Sequence, residues 1–175
     1  KLKNIKLILG GKNRQQSTLN ALKYLINKKG TPKVLIHDAA RPNFSIKLLS
    51  SILKKMKHAR AVVPKVRVED ATKQIIDSSK EEYIVGKERE NLFLTQTPQA
   101  FHLKEIYNLH KINSGKYKDD DISLYMDLNK VHFIDGEKSN FKITDQSDFE
   151  NLRNIYKSKQ TVGIGFDVHR LVPKR

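Results

Sequence analysis

Chemically capable side chains are concentrated where a short apolar run ends, in the stretch LIHDAARPNFS at residues 35–45. Asp38 and Arg41 stand three residues apart there, separated by two alanines. A carboxylate and a guanidinium this close could form a plain structural ion pair. They also suit a ligand with hydroxyl and phosphate groups, because both form charge-assisted hydrogen bonds to such groups. The small side chain of Ala39 would leave room for that ligand.

Three further places in the chain could contact a ligand, although each also has an ordinary structural explanation. Gly10 and Gly11 would let backbone amides approach a flat or phosphorylated ligand, but such a pair is often only a turn. Thr97 precedes Pro98 in TQTPQAF, where its hydroxyl could contact a phosphate or serve only the turn. Lys142 alternates with apolar neighbours at the end of a predicted strand, which an ordinary exposed lysine also does.

The composition is that of a globular protein with one core. The chain has 175 residues, of which 38% are hydrophobic and 30% are charged, enough for one α/β domain. No apolar run approaches the roughly 20 residues of a membrane helix, so no membrane partner is expected. The absence of cysteine excludes disulfides and thiolate metal sites and favours a reducing compartment. A cytoplasmic location is therefore expected.

The net charge of +15, from 34 Lys and Arg against 19 Asp and Glu, raises the question of nucleic-acid binding. A nucleic-acid interface concentrates its positive charge on one face and adds aromatic side chains for stacking. Here the lysines are scattered from Lys1 to Lys174, and aromatic residues make up only 7% of the chain. This distribution favours solvated surfaces, with attraction of small anionic ligands as a further consequence.

The first third of the chain alternates between predicted strands and helices. Strands are predicted at 5–9, 34–37 and 61–63, the last closed by Pro64. Ser17 and Ser45 are the predicted N-caps of the two helices between them. This β-α-β-α-β order predicts an α/β fold with a parallel sheet covered by helices. The carboxyl ends of its strands, where Gly10–Gly11 and Asp38 lie, are the expected ligand-binding edge.

Residues 65–95 break this alternation and predict a protruding β-hairpin arm. Two extended runs, 72–76 and 83–85, flank a polar turn at 77–79. Both faces of these runs are too polar for a core, so we expect the arm to pair with another subunit.

The last part of the chain predicts further helices and strands. A helix is expected at 103–112, and another after the acidic run 119–121. Late strands are expected at 131–134 and 141–143, and Ser147 with Glu150 is a predicted capping box for the helix through Ile155. A domain boundary is predicted near 158–161.

Taken together and in order, these motifs resemble one enzyme family. The matching stretches are GGKNRQQSTLNAL at 10–22, HDAARP at 37–42, EDATK at 69–73, TQTPQAF at 95–101, DDISL at 120–124 and NFKIT at 140–144. They resemble the cytidylyltransferases of the non-mevalonate isoprenoid pathway, which join 2-C-methyl-D-erythritol 4-phosphate to CTP. The resemblance implies a Rossmann-like nucleotidyltransferase sheet covered by helices, with a protruding β-hairpin arm.

The resemblance also implies roles for individual residues. Asp38 and Arg41 would hold the methylerythritol phosphate, with Thr97 as a further substrate contact. Arg89 and Lys142 match the two basic residues that orient the attacking phosphate in this family. The implied nucleotide contacts are Gly11, Ser17 and Ala39.

The same resemblance implies a cofactor and a partner. Mg²⁺ would bridge the triphosphate of CTP. Arg89 lies on the arm, which in this family crosses to the second subunit of a homodimer, so the site would be shared between two copies. Neither a nucleic acid nor a membrane is implied as a partner.

The end of the chain resembles a second family. GIGFDVHRL at 163–171 is similar to the start of the cyclodiphosphate synthase that acts later in the same pathway. Asp167 and His169 would project from one face of a strand. The resemblance implies that they bind one divalent metal, usually zinc. Residues 1–158 are thus predicted to be a cytidylyltransferase domain, and 159–175 a linker and the first strand of a synthase domain, as in a fused bifunctional enzyme.

The chain departs from the family pattern at several points. The glycine-rich nucleotide loop that usually stands at the N-terminus is not in the sequence, nor is most of the synthase, so we expect the chain as given to be catalytically inactive. Lys12 stands where the family often has an acid, Ala71 interrupts the usual Asp-Thr of the arm, and Asp119 stands where a threonine is common.

Two alternatives differ in kind from this interpretation. One is a nucleotidyltransferase that acts on another sugar or polyol phosphate, which substrate profiling would identify. The other is a basic, non-catalytic nucleic-acid-binding module, which a salt titration of DNA or RNA binding would identify.

Overall fold

A computed structural model describes residues 5–77, 82–85, 88–113, 120–125 and 131–157. The chain divides into two compact units, 1–142 and 143–175, which are considered separately. The first unit contains three helices: α1, Arg14–Ile26; α2, Ile46–Lys55; and α3, Leu103–Ile112. Its strands are β1, Lys33–Ile36; β2, Ala61–Arg67; β3, Lys73–Asp77; β4, Glu82–Val85; β5, Phe93–Thr95; β6, Gln99–His102; and β7, Val131–Asp135. Among the described residues of the second unit, α4 spans Gln146–Lys157.

The central sheet is open and mixed. Along it the order is β1-β6-β2-β5, and β7 pairs with β2. β6 is antiparallel to both β1 and β2, so these two strands run in the same direction with β6 inserted between them. β7 is parallel to β2. The predicted α/β class is therefore confirmed, whereas the expected purely parallel sheet is wrong, because a strand from later in the chain separates its first two members.

β2 is the central strand, and its partner on one edge is interrupted. β6 pairs with the start of β2 and β5 with its end, and residues 96–98 lie between them. The Gln96 N–H donates to the Pro64 carbonyl, at 2.8 Å, on the edge that faces this interruption. Since the N–H and C=O of one strand residue point to the same edge, the N–H that Pro64 lacks would also face the interruption. β2 therefore continues past Pro64 to Arg67, and the predicted end of the strand at Val63 is wrong.

Helices cover both faces of this sheet. On one face, α1 and α3 supply Leu22, Leu103 and Ile106, which pack with Ala61, Val63 and Phe101. On the other face, α2 supplies Leu48, Ile52 and Met56, which pack with Val62 and Ala100. Successive residues of β2 thus point to opposite faces and join two cores. Ser45 caps α2 as predicted, since its hydroxyl accepts from the Leu48 N–H at 3.0 Å.

The arm forms a hairpin. β3 and β4 pair antiparallel in a two-stranded sheet of their own, with an irregularity between Ile75 and Asp77. The hairpin itself is therefore confirmed. The tip of the predicted turn, Ser78 and Ser79, lies outside the described residues.

The predicted strand at 5–9 does not form. This segment has no regular secondary structure, and Leu7 and Leu9 are largely exposed, at 88% and 90%. No strand in the described part of the chain pairs with it, so its backbone groups lack the ladder that would hold an extended conformation. An apolar alternating pattern was therefore not sufficient to produce a strand.

Two predicted elements of the later chain also differ. The segment after the acidic run forms a short 3₁₀ turn, Ile122–Leu124, rather than a helix, while Asp119 lies outside the described residues. The segment 141–143 is a loop rather than a strand. Helix α3 and β7 appear where the helix at 103–112 and the strand at 131–134 were expected.

Both wrong cap assignments have the same cause. Asn13, not Ser17, caps α1, because its side chain accepts from the Gln16 N–H at 2.8 Å. At α4, the Asp148 N–H donates to Asp145 at 2.9 Å, and Asp148 in turn accepts from the Thr144 N–H at 2.9 Å, in place of the predicted Ser147–Glu150 box. In each case, a capping residue stood a few positions earlier in the sequence.

No helix among the described residues is long and apolar enough to span a bilayer.

Candidate active site

A pocket of about 480 Å³ opens where the chain leaves β1. It collects side chains from segments far apart in sequence: α1, the loop after β1, the interruption between β5 and β6, the 3₁₀ turn at 122–124, β7 and the loop after β7. The lining residues are Arg14, Asp38, Arg41, Phe93, Thr95, Thr97, Gln99, Asp120, Ile122, Ser123, Tyr125, Phe133 and Lys142. Four of the predicted site residues, Asp38, Arg41, Thr97 and Lys142, thus meet in one cavity.

Three cations surround the carboxylate of Asp38. Its Oδ2 lies 3.5 Å from Lys142 Nζ and 3.9 Å from Arg41 Nε, and its Oδ1 lies 3.7 Å from Arg14 Nε. One carboxylate balances only one of these three charges. Arg14 is paired with Asp121 at 2.6 Å, so Arg41 and Lys142 share the carboxylate of Asp38. An anionic group entering beside Asp38 would therefore meet one positive charge that this carboxylate does not balance, which is an arrangement suited to phosphate.

The guanidinium of Arg14 forms an ion pair with a buried carboxylate. Its Nη2 lies 2.6 Å from Asp121 Oδ2, and the other oxygen of Asp121 lies 2.9 Å from His110 Nε2. Burial alone would raise the pKa of the Asp121 carboxyl. The hydrogen bonds from His110 and Arg14 outweigh that effect, so the pKa lies below its usual range. Asp121 is therefore ionised at neutral pH and fixes the guanidinium at the rim of the pocket.

The floor of the pocket is a closed set of hydrogen bonds around Asp120. Its Oδ2 accepts from the Thr95 hydroxyl at 2.7 Å and from Gln99 Nε2 at 3.1 Å. Its Oδ1 accepts from the Ser123 N–H at 3.1 Å. Because four residues share these bonds, the floor is rigid and polar before any ligand enters.

Thr97 braces the loop that carries Asp38. Its hydroxyl oxygen accepts from the Asp38 N–H at 3.0 Å and lies 3.0 Å from His37 Nδ1. His37 Nε2 lies 2.9 Å from the Arg41 carbonyl, which can only accept, so Nε2 carries the proton and Nδ1 accepts from Thr97. A phosphate contact by Thr97, which stays a prediction, would compete with His37 for this hydroxyl proton.

The sequence of the chain matches a known family over most of its length. The family model described as 2-C-methyl-D-erythritol 4-phosphate cytidylyltransferase matches residues 1–157. The chain belongs to this family. The family resemblance inferred from the sequence motifs is therefore confirmed.

The relatives in this family include fused enzymes. The bifunctional enzyme IspD/IspF of Pelagibacter ubique is 42% identical over 175 residues, which are 99% of this chain and 44% of that protein. Its counterpart from Lawsonia intracellularis is 40% identical, covering 95% of this chain and 42% of that protein. The chain thus spans less than half the length of the curated relatives it matches.

Solved cytidylyltransferase structures share the fold. The 2-C-methyl-D-erythritol 4-phosphate cytidylyltransferase of Thermus thermophilus superposes with a TM-score of 0.73 at 30% identity, covering 85% of this chain and 71% of that one. The bifunctional IspDF of Campylobacter jejuni superposes with a TM-score of 0.70 at 25% identity, covering 85% of this chain and 37% of that one.

Four further predicted residues are not among those that line the pocket: Gly11, Ser17, Ala39 and Arg89. Gly11 and Ser17 contact each other, the Gly11 N–H donating to Ser17 Oγ at 2.9 Å, and Ala39 lies in the loop after β1. Arg89 is in a 3₁₀ turn, where its Nη1 donates to the Glu69 carbonyl at 3.1 Å. Asp167 and His169 lie outside the described residues. The roles of all these residues stay predictions.

The sequence motifs did not predict that Arg14, Asp120 and Gln99 would line the pocket. Arg14 carried a detectable signal, because a cation in the first turn of a helix opposes the helix dipole and needs a compensating partner. Asp120 and Asp121 were interpreted as an acidic first turn of a helix. The correct interpretation required the distant residues with which they pair.

Proposed function

We propose that this chain carries the site at which CMP is transferred from CTP to 2-C-methyl-D-erythritol 4-phosphate, in the synthesis of isoprenoid precursors. The observation that supports it is the group of three cations around Asp38 in a chain of the cytidylyltransferase family. An acceptor that carries both a phosphate and hydroxyls would use Arg41, Lys142 and the carboxylate of Asp38 together.

The reaction is an in-line displacement at phosphorus. A phosphate oxygen of methylerythritol phosphate forms a bond to the α-phosphorus of CTP, the bond from that phosphorus to the bridging oxygen breaks, and pyrophosphate leaves. Positioning and neutralisation of charge dominate such transfers. Lys142 and Arg41 orient the attacking phosphate, and Asp38 accepts hydrogen bonds from the acceptor hydroxyls.

The residues of the pocket are compatible with Mg²⁺ carried by the triphosphate. Among the described residues, no group of three or more His, Asp and Glu side chains could hold a metal ion. Mg²⁺ commonly takes one or two carboxylates together with substrate phosphates, and Asp38 and Asp120 both line the pocket. Asp120 already accepts several hydrogen bonds and Asp38 lies beside three cations, so the triphosphate itself would supply most of the metal's ligands. When bound, the metal supplies neutralisation of the triphosphate charge.

We further propose that the active enzyme is a homodimer in which Arg89 reaches the pocket of the second copy. Two observations support this arrangement. Arg89 does not line the pocket of its own chain, and its side chain is 59% exposed and hydrogen-bonded beside the arm. A cation supplied by a partner would complete the charge that faces the attacking phosphate.

The synthase activity is a separate proposal. Residues 159–175, with Asp167 and His169 as ligands for zinc or another divalent metal, would begin a cyclodiphosphate synthase domain. The match to bifunctional relatives over 99% of this chain supports it. The cytoplasmic location also stays a prediction.

The variant Lys142→Ala tests the proposed site in the full-length protein. Its kcat is expected to fall about 10²-fold, since the loss of one preorganised charge acts mainly on the transition state. The KM for CTP should change little. Lys104→Ala, which removes an exposed lysine of α3, is the matched control. If both variants show the same steady-state kinetics, Lys142 is only a surface lysine and the proposed site is wrong.

A further inference from the structure

Asn140 lies at the junction of three segments that line the pocket. It is fully buried, at 0% exposure. Its backbone carbonyl accepts from Arg41 Nη1 at 2.9 Å, and its side-chain Nδ2 donates to the Thr97 carbonyl at 2.9 Å. Lys142 follows it by two residues along the loop. One residue therefore connects the loop after β1, the interruption between β5 and β6, and the loop that carries Lys142.

A buried glutamine strengthens this junction from the other side. Gln96 Nε2 donates to the Glu137 carbonyl at 2.8 Å and to the Asn140 carbonyl at 3.2 Å. Its Oε1 accepts from the Glu137 N–H at 3.0 Å. These bonds hold the 137–140 turn against the interrupted strand. The Asn140 side-chain amide donates to the Thr97 carbonyl at 2.9 Å and, more weakly, to Gln96 Oε1 at 3.5 Å.

One polar atom of the Asn140 side chain lacks a partner, and this shows which contact the asparagine provides. Among the residues that the structure describes, its buried Oδ1 has no hydrogen-bond partner. A buried acceptor without a partner is unfavourable, and an apolar side chain of similar shape would avoid that cost. What asparagine supplies at this position, and an apolar side chain cannot, is the N–H donor to Thr97.

We propose that Asn140 is a positioning residue, which sets the relative placement of Arg41, Thr97 and Lys142 and so aligns the acceptor phosphate. This inference rests on the proposed transfer reaction, because the three residues are those proposed to contact the acceptor. Asn140 itself is buried behind them. Its effect on the reaction passes through the side chains it fixes.

The near-isosteric variant Asn140→Leu separates positioning from simple packing. It fills the buried space and removes the donor, so a purely structural role would leave the kinetics unchanged. We expect kcat/KM for methylerythritol phosphate to fall by about 10- to 100-fold, since small misplacements of positioned groups are this costly. The KM for CTP should stay within about 3-fold. Ile52→Val, in the core under α2, is the control for loss of stability alone.

A double-variant cycle tests whether the effect passes through Lys142. Residues that act together show non-additive losses. In a Lys142→Ala background, Asn140→Leu should therefore cause a loss at least about 5-fold smaller than in the wild-type background. If Asn140→Leu caused the same fold-loss in both backgrounds, to within about 2-fold, the proposal would be overturned. Should Asn140→Leu fail to fold, Asn140→Ser replaces it in both measurements.

Hydrogen exchange gives a readout that does not depend on catalysis. The Asp38 amide donates to Thr97 Oγ1, and the Asn140 amide donates to the Glu137 carbonyl. Both should exchange about 10-fold faster in Asn140→Leu than in the wild type or in Ile52→Val, as local opening becomes easier. If the full-length wild-type protein transferred no CMP, the proposed function would fail while this comparison still decided the role of Asn140. Unchanged exchange at both amides would overturn it.

Discussion

At the scale of single residues, the charge of Asp121 controls how Arg14 is presented. The carboxylate has no exposed side-chain surface, and its two oxygens are occupied by Arg14 and His110. Among the described residues, His110 Nδ1 has no hydrogen-bond partner, while its Nε2 lies 2.9 Å from Asp121 Oδ1. Asp121 therefore joins the guanidinium of Arg14 to the buried ring of His110.

This pair predicts a specific dependence of stability on pH. The pKa of folded Asp121 lies below its usual value of 3.8, so its contribution is complete above that value and is lost as the pH falls through the lower, folded pKa. Asp121→Asn should lower the free energy of unfolding by about 1–3 kcal/mol at pH 7, because Arg14 and His110 lose a charged partner. The loss should shrink only below the usual pKa of a carboxyl group.

Urea unfolding of both proteins at neutral and acidic pH measures this difference. Asp135→Asn, an exposed carboxylate on β7, is the control and should change stability by no more than about 0.5 kcal/mol. Asp121→Asn could lower the free energy of unfolding by the same amount at neutral pH and at a pH well below the usual carboxyl pKa. That result would show that the charge of Asp121 is not what stabilises the fold.

At the scale of secondary-structure elements, the turn after β7 connects two segments that line the pocket with α2. Glu137 accepts from the N–H of Ser45 at 3.1 Å and from its hydroxyl, so the N-cap of α2 and this turn hold each other in place. Gln96 binds the same turn from the interrupted strand. The position of Lys142 is therefore set by packing around the turn rather than by a strand of its own.

Gly136 lies where this turn packs closely against Gln96 and β2. A Cβ atom there would lie 2.5 Å from Gln96 Oε1 and 3.1 Å from the Lys65 carbonyl oxygen. Gln96 cannot retreat without breaking its hydrogen bond to the Glu137 N–H, so Gly136→Ala should destabilise the protein by about 1–3 kcal/mol. Chemical denaturation measures the change, with Ser139→Ala in the same turn as the control. Equal stability of the two variants would mean that Gln96 shifts freely.

At the scale of the whole molecule, the positive charge and the arm are the features on which the proposed partners depend. The charge of +15 is spread along the chain. It would attract small anions from a distance, and this attraction would weaken with salt. A non-catalytic nucleic-acid-binding module would instead show DNA or RNA binding with a steep salt dependence. The hairpin of β3 and β4 pairs only with itself within the described residues, which leaves its two strands as edges.

The arm should determine the oligomeric state. We expect sedimentation velocity to show a dimer, since pairing across a two-fold axis would bury both copies of the hairpin. Deleting 73–85 should yield monomers that retain the central sheet, as judged by circular dichroism, and kcat should fall because Arg89 is no longer delivered to the partner. Lys104→Ala should sediment like the wild type. A folded wild-type protein that is monomeric at assay concentrations would contradict both the dimer and the shared site.

Several features of this protein could be predicted from local sequence. The motifs together were sufficient for the family, and HDAARP, TQTPQAF and NFKIT contain six of the residues that line the pocket. Four of these six, Asp38, Arg41, Thr97 and Lys142, were predicted as site residues. Helix α3 and the cap of α2 were predicted correctly, because helical periodicity and capping depend on residues within a turn or two of each other. The hairpin arm was predicted for the same reason.

The features that sequence did not determine depend on contacts between distant residues. Arg14 and Asp121 are 107 positions apart, and nothing near either residue specifies that pair. The insertion of β6 between β1 and β2 and the continuation of β2 through Pro64 depend on which edge each strand finds. The segment at 5–9 has the apolar pattern of a strand but no partner among the described residues. Backbone hydrogen bonds in a sheet come from other segments, so only the tertiary structure decides which extended runs become strands and which charges meet.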